Sequence, residues 1–397
     1  MASLPSTHAS TRAANRRAVL SALRRNGPTS RAQLAELTSL SPAAMSSIAA
    51  DLVAQGVLLE QPGASGGAGR PPILLALNAK SGSVIGLKVM KSRLEAVLTD
   101  LAAEPLAVAS LPLGGDQPEP GLVVDAAELA VKQLRDRPDL PPLLGVGLAL
   151  PGVMDGAGGV CSSSPLLGWR NVPIAQMVQA RLNAPVVLDN DVNALAAGEM
   201  LFGRGRWAQT FLVVTVGSGI GAGLVMNGQV HHGRDGGAGE LGHTLSEPGG
   251  RYCDCGRRGC LEAQASVPAL VAQYLERHLE RRPNAGPGAL TAAELAALAA
   301  GGDEDARALI SEAGTRLGLA LAGAVNLLNP NLIILGGEGL ALGNLLVGSL
   351  RDALINNSFP GLAVNLPIIT DPWSDVQWAR GAASLAAERA WRELEAK

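Results

Sequence analysis

The alternation of apolar and polar positions divides this chain into a short helical opening and a long body of mixed strands and helices. Residues 13–26 place Val19, Leu20 and Leu23 on one helical face, and Gly27-Pro28 stops the run. Ser30 is placed to cap a second helix, with Gln33 completing a capping box and Leu34 and Leu37 facing inward. Ser41-Pro42 opens a third helix, a cap followed by proline in the first turn. Its Met45, Ile48, Leu52 and Val53 form a stripe for burial, and Gly56 ends it. Two apolar segments, Val57–Leu59 and Ile73–Leu77, flank QPGASGGAGRPP and read as a two-stranded wing. Residues 13–78 therefore predict a winged helix-turn-helix, behind a flexible polar tail at 1–12.

From Ser83 the pattern becomes strand, turn and strand, VIGLKV then LEAVLTDL, followed by a helix over Leu122–Leu134. Strands recur at Leu144–Leu150 and Val186–Leu188. A helix over Val192–Phe202 then leads to a strand at Thr210–Val216 and the hairpin GAGLVMNGQV. Apolar strand runs separated by helices indicate an α/β body. The strand-rich starts near 84 and 211 look like two copies of one unit, and a last helix over Asp375–Glu395 is expected to pack back on the first.

Composition adds two points. Aromatic residues are scarce while Ala, Gly and Leu abound, which suggests close packing between small side chains. The net charge of −3 excludes a general polyanion binder, but its distribution is uneven. Residues 1–70 carry seven arginines against three acids, a surplus of four that leaves −7 for the remainder. A basic end on an acidic body fits a nucleic-acid module. The third helix exposes Ala44, Ser46, Ser47 and Ala50, small enough to enter a major groove of double-stranded DNA. Arg31 and Arg70 are further candidate DNA contacts, Arg70 by reaching a phosphate or the minor groove. Met1 to Thr11 is polar, without the apolar core of a signal peptide, and no run is long enough to span a bilayer. A cytoplasmic protein is expected.

Candidate chemistry concentrates in HTLSEPGGRYCDCGRRGCLE, from His243 to Glu262. Cys253, Cys255 and Cys260 crowd into eight residues, with His243 upstream across a glycine-containing loop. One imidazole and three thiolates make a closed set suited to structural Zn2+, with disulfide pairing the weaker alternative. Cys161 stands apart and reads as a buried thiol, and His231 and His232 read as loop residues. Two acids border the cysteine loop: Glu240, one helical turn before His243, and Glu262, two residues past the last cysteine. A metal-fixed loop would hold both on a rigid frame, as recognition of a hydroxyl-rich ligand requires. Asn190 and Asp191 follow the strand PVVLD, where a carboxylate meets a ligand at a cleft rim or caps the next helix.

The run E-L-G-H followed by G-x-x-C-x-C-G-x-x-G-C-x-E resembles the signature of the ROK family of bacterial sugar kinases and sugar-responsive repressors. G-R-P-P-x-x-L-x-L-N, ending at Asn78, is similar to the wing of the repressor branch. The resemblance implies a two-lobed ribonuclease-H-like body, with 83–193 plus 375–397 as one lobe and 194–374 as the other. It implies a sugar or sugar phosphate bound between the lobes, contacted by Asn190, Asp191, Glu240, His243 and Glu262, with Asp191 matching the kinase base. Pro151-Gly152 and SPLLGWRNVP match the loop beside the sugar, except that Leu166 stands where the family usually has Asn.

A kinase of this family begins with D-x-G-G-T, whereas alignment on Gly86 gives K-V-M-K-S, from Lys88 to Ser92. A cation replaces the acid that positions magnesium, and side chains replace the glycines that admit phosphate. The glycine-rich TVGSGIGAG remains, as a phosphate cradle or simply a tight hairpin, and LNPNLIILGGEG resembles the nucleotide-side segment. The expectation is a sugar-responsive repressor without enzyme activity, a homodimer or homotetramer on operator DNA. Its alternative is an ATP-dependent sugar kinase carrying a DNA module, and a zinc hydrolase is disfavoured because the metal set is closed.

Overall fold

A computed structural model of the chain describes residues 8–63, 71–115, 117–278 and 290–396. Its first unit contains α1 (His8–Asn26), β1 (Thr29–Ser30), α2 (Arg31–Thr38), α3 (Pro42–Ala54), β2 (Leu58–Pro62) and β3 (Ile73–Leu77). Ser30 and Gln33 form the reciprocal capping box, and Ser41 Oγ accepts the Ala44 amide at 3.3 Å. β3 lies between β1 and β2, antiparallel to both, so the wing is hydrogen-bonded to the turn before α2. Val19, Leu20, Leu23, Leu34, Met45, Ile48 and Leu52 are buried as the periodicity requires. Two positions differ. Leu37 is 55% exposed, in the last turn of a short helix just before left-handed Ser39 redirects the chain. Val53 is only half-buried, and Ala49 fills the stripe instead.

The body begins with β4 (Ser83–Val89), β5 (Arg93–Asp100), β6 (Pro105–Pro112), α4 (Pro120–Arg135) and β7 (Leu143–Leu150). A small sheet of β8 (Val153–Asp155), β9 (Val160–Ser164) and β10 (Trp169–Val172) precedes α5 (Ile174–Leu182), β11 (Val186–Asn190) and α6 (Asp191–Leu201). The second half holds β12 (Phe211–Val216), β13 (Ile220–Met226), β14 (Gln229–Val230), α7 (Glu262–Ala265), α8 (Val267–Arg277) and α9 (Ala292–Ala300). It ends with α10 (Glu304–Leu328), β15 (Leu332–Gly336), α11 (Asn344–Asn357), β16 (Ile368–Asp371) and α12 (Asp375–Ala396).

Two five-stranded sheets share one topology, ordered β11-β7-β4-β5-β6 and β14-β13-β12-β15-β16. In each, the first strand is central, with an antiparallel meander on one side and two parallel strands on the other. The two similar units expected from the pattern are present. β6 went unforeseen because it is an edge strand closed by Pro105 and Pro112, with Leu106 and Val108 left exposed. The β8–β10 sheet also went unforeseen, its strands being too short to set a pattern.

α4 and α5 cover the outer face of the first sheet, and α7 to α11 cover that of the second. α6 and α12 lie between the sheets and against each other. Contact there is between backbones. A Cβ on Gly86 (β4) would stand 1.9 Å from the Ala379 carbonyl oxygen, and one on Gly147 (β7) 1.8 Å from that of Ala382. A Cβ on Gly381 of α12 would stand 3.0 Å from the Ala194 backbone of α6, a close but less severe contact. This packing accounts for much of the small-residue composition.

The C-terminal helix packs on the first sheet as expected and also reaches the winged unit. One apolar cluster joins Val19, Leu23 and Leu52 to Val84, Leu101, Ala387 and Trp391. Trp391 Nε1 donates to the Leu101 carbonyl at 2.9 Å, and Arg16 Nε of α1 donates to that of Leu394 at 3.1 Å. Glu395 is buried 3.6 Å from Arg24 and 4.0 Å from Arg17. Burial pushes its carboxyl above the usual range, against the pull of Arg24 and Arg17. The connection at Asn78–Ser83 is likewise held, since Asn78 Nδ2 donates to the Gly56 carbonyl at 2.8 Å.

Gly86→Ala is expected to cost at least about 3 kcal/mol, because the methyl meets backbone that cannot move aside. Gly323→Ala, on an exposed turn of α10 with nothing within 4 Å, is expected to stabilise by about 0.5–1 kcal/mol. Urea unfolding of the two variants checks the contrast.

Candidate functional site

The segment carrying Glu240 and His243 is laid on β13 by two glycines. A Cβ on Gly239 (φ +91°) would fall 1.8 Å from the Ala222 carbonyl oxygen, and one on Gly242 2.1 Å from that of Ile220. Gly259 (φ +79°) allows the cysteine loop to close on the Glu247 carbonyl in the same way. These contacts bring His243, Cys253, Cys255 and Cys260 together, with ligand atoms within 4.8 Å of one another. His243 Nδ1 is 3.5 Å from Cys253 Sγ, and Cys255 Sγ is 3.6 Å from Cys260 Sγ. Cys253 and Cys260 are buried, and the four residues form a cluster able to hold a metal ion. Cys161 lies elsewhere, in the first sheet's core, its thiol pushed up to about 11 by burial.

The imidazole faces two ways. Its Nε2 points to Glu240, 3.7 Å from Oε2. Burial raises the Glu240 carboxyl; His243 opposes that shift, while Glu262 and Asp191 add to it. Glu262 is anchored by the Ile220 amide, which donates to its Oε2 at 2.8 Å.

Asn190, rather than Asp191, is the helix cap. Its side-chain oxygen accepts the Val192 and Asn193 amides at 2.8 and 3.2 Å, and its Nδ2 donates to the Gly152 carbonyl at 2.9 Å. Asp191 Oδ1 also accepts the Val192 amide, at 2.9 Å, while its other oxygen forms an ion pair with Lys88, the two side chains nearly buried at 13% and 8% exposure. Lys88 Nζ also lies 4.9 Å above the Trp378 ring. The sequence reading gave Lys88 the place of an acid but missed its partner, because no pattern links residues 103 apart. It also passed over His232, whose Nε2 lies 2.7 Å from Asp189 Oδ2. That hydrogen bond, stronger than the opposing burial, raises the imidazole's pKa.

Glu338 was missed too. It sits in the 3₁₀ turn after β15, and its carboxylate accepts the Ser218 amide within the glycine-rich turn that follows β12. A Cβ on Gly217 would lie 2.2 Å from its Oε2. The visible signal was an acid interrupting LGGEGL.

On the winged unit, Ser46 and Ser47 are exposed on α3 and Ala44 is half-exposed. Arg31 is tied to Glu60 of β2 by an ion pair, and Arg70 lies outside the described residues.

Comparison with known proteins agrees with this geometry. The ROK family model matches residues 84–389, and that of the winged helix-turn-helix DNA-binding family matches residues 12–58. A xylose repressor of Caldicellulosiruptor bescii is 30% identical over 362 residues, 89% of this chain and 90% of its own. A ROK family transcriptional regulator described as a homolog of the E. coli MLC protein superposes with a TM-score of 0.83 at 25% identity, over 97% of this chain and 99% of its own. A ROK family glucokinase from Streptomyces griseus, solved with glucose and AMPPNP, superposes with a TM-score of 0.66 at 27% identity, over 77% of this chain and 100% of its own.

Removing one partner of the Lys88–Asp191 pair strands a buried charge. Lys88→Met is therefore expected to destabilise by about 3 kcal/mol, and adding Asp191→Asn to recover most of it. A double-mutant cycle in urea measures the coupling.

Proposed function

The chain belongs to the ROK family, and from that membership we propose the following reading: it is a sugar-responsive DNA-binding transcriptional repressor, acting in the cytoplasm on genes of carbohydrate use. The observation that carries it is the joining of a winged helix-turn-helix to the ROK body by one apolar cluster. The xylose repressor aligns with this chain over 90% of its own length, and the MLC homologue superposes over 99% of its own.

In this reading α3 enters the major groove, with Ser46, Ser47 and Ala44 near base edges and Arg31 and Arg70 near the backbone. Asn190, Asp191, Glu240, His243 and Glu262 hold the sugar, between lobes formed by 83–193 with 375–397 and by 194–374. Vicinal hydroxyls donate to these acceptors, and an acceptor left unpaired penalises the wrong sugar. Two copies of the chain would place two α3 helices on half-sites about one DNA turn apart.

The metal fits zinc. Bonds of about 2.0–2.3 Å in a tetrahedron set neighbouring donors roughly 3.3–3.8 Å apart. The 3.5 and 3.6 Å separations here match it. With four protein donors no position is open for water, so the ion's contribution is a cross-link. His243 then presents Nε2 to Glu240, which holds both toward the sugar.

The chain is not a kinase in this reading. Lys88 occupies the place of the magnesium-positioning acid and neutralises Asp191, the residue that would serve as base. α12 supplies a route from site to DNA. Trp378, near its start, touches Lys88, and Leu394 and Glu395, at its other end, hold α1.

Elemental analysis is expected to find one zinc per chain. Operator DNA should be retained in a gel shift and released by the cognate sugar, with Cys255→Ser losing both zinc and release. Retention of DNA under every sugar of a broad panel would overturn the reading, as would sustained turnover of sugar with ATP. Glu395→Ala combined with Arg16→Ala is expected to leave sugar binding measurable by titration while weakening sugar-driven release.

A further inference from the structure

We infer that the effector is an uncharged sugar and that the cleft rejects the corresponding phosphate ester. The inference rests on the sugar-binding reading above and narrows its ligand class.

A phosphate ester needs a free cation or free backbone amides where its charge comes to rest. Both are already taken. The cation beside Asp191 is Lys88, matched by that carboxylate on one side and flanked by the Trp378 ring on the other. It is nearly buried, so drawing it toward a ligand would leave Asp191 unpaired in its place.

Four backbone amides of the turn after β12 are committed as well. The Gly217 amide donates to the Gly219 carbonyl at 2.9 Å, and the Ser218 amide donates to Glu338. The Ile220 amide donates to Glu262, and the Gly221 amide donates to Thr215 Oγ1 at 3.2 Å. This turn has the composition of an anion cradle, and the anions it holds are two carboxylates of its own chain. A phosphate entering here would displace Glu338 or lie against it, and would face Glu262, which is held on the same turn. Like charges brought together in a partly buried site weaken binding by several powers of ten at most and rarely by less than about 100-fold. A neutral sugar meets the opposite situation. Its hydroxyls are donors, and the same carboxylates offer acceptors already held in place by backbone amides and by His243.

The test is calorimetric titration of the full-length, metal-replete protein. The probes are common aldoses, ketoses and N-acetylhexosamines, each beside its terminal phosphate ester. The expected result is a free sugar that binds at least about 100-fold tighter than its ester. Glu338→Gly, which frees the Ser218 amide and removes one charge, is expected to raise affinity for that ester about 10-fold. An ester that binds the unaltered protein as tightly as its sugar, or tighter, overturns the inference and leaves the sugar-responsive reading standing. An ester affinity unmoved by Glu338→Gly overturns the assignment of the exclusion to the occupied cradle. Binding of no sugar in either form overturns the parent reading, and this inference with it.

Discussion

The structure depends on how closely α12 lies against the first sheet and α6. Helix and sheet normally stand apart by the thickness of their side chains. Here the carbonyls of Ala379 and Ala382 rest on Gly86 and Gly147, so no side chain intervenes. Such contact is possible only where both surfaces are glycine and alanine, and it tolerates no added methylene. It sets the register of a 22-residue helix to within the size of a methyl group. Through that register Trp378 comes to rest beside Lys88, while Trp391 and Glu395 reach the winged unit. A displacement at one end of a helix held this way reaches the other, because the helix cannot bend into a void that does not exist.

Charge is distributed with the same economy. A fold similar to that of a ROK glucokinase carries a glycine-rich turn after β12, and the charges at that turn and at Asp191 are satisfied from within the chain. Lys88 answers Asp191, and Glu338 answers the Ser218 amide. Each substitution alone would leave a buried group unpaired; together with their partners they leave the fold intact.

Rigidity at the sugar side comes from a different source. The strand β13 carries the segment from Gly239 to His243 through glycine contacts, and the loop that follows brings Cys253, Cys255 and Cys260 back to His243 in a cluster able to hold a metal ion. Glu240 and Glu262 flank that cluster in sequence, and the fold sets Glu240 beside His243 and Glu262 on the Ile220 amide. A small polar ligand is recognised by acceptors that do not move, and backbone packing with metal ligation provides this more surely than surface loops would.

Much of this was legible in the residues alone, where the governing forces are local. The capping boxes and helix stops of the winged unit, the repeat of the strand-rich unit and the cysteine cluster with its histidine all follow from spacing within a few residues. Short-range patterns set them, so they survive without knowledge of the fold. Leu37 was misjudged and the edge strand β6 unforeseen because burial there depends on which neighbour arrives, and Leu37, Leu106 and Val108 stay exposed. Whether Asp191 meets a ligand or caps α6 is likewise open in the sequence; in the fold Asn190 is the cap, and Asp191 shares the Val192 amide while pairing with Lys88. That ion pair, the carboxylate of Glu338 in the glycine-rich turn and the reach of α12 to α1 join residues from 103 to 378 positions apart. Sequence determined what kind of protein this is, since caps, periods and ligand spacings are local; the tertiary structure alone decided which charges meet, because only folding brings distant groups within range of Coulomb attraction.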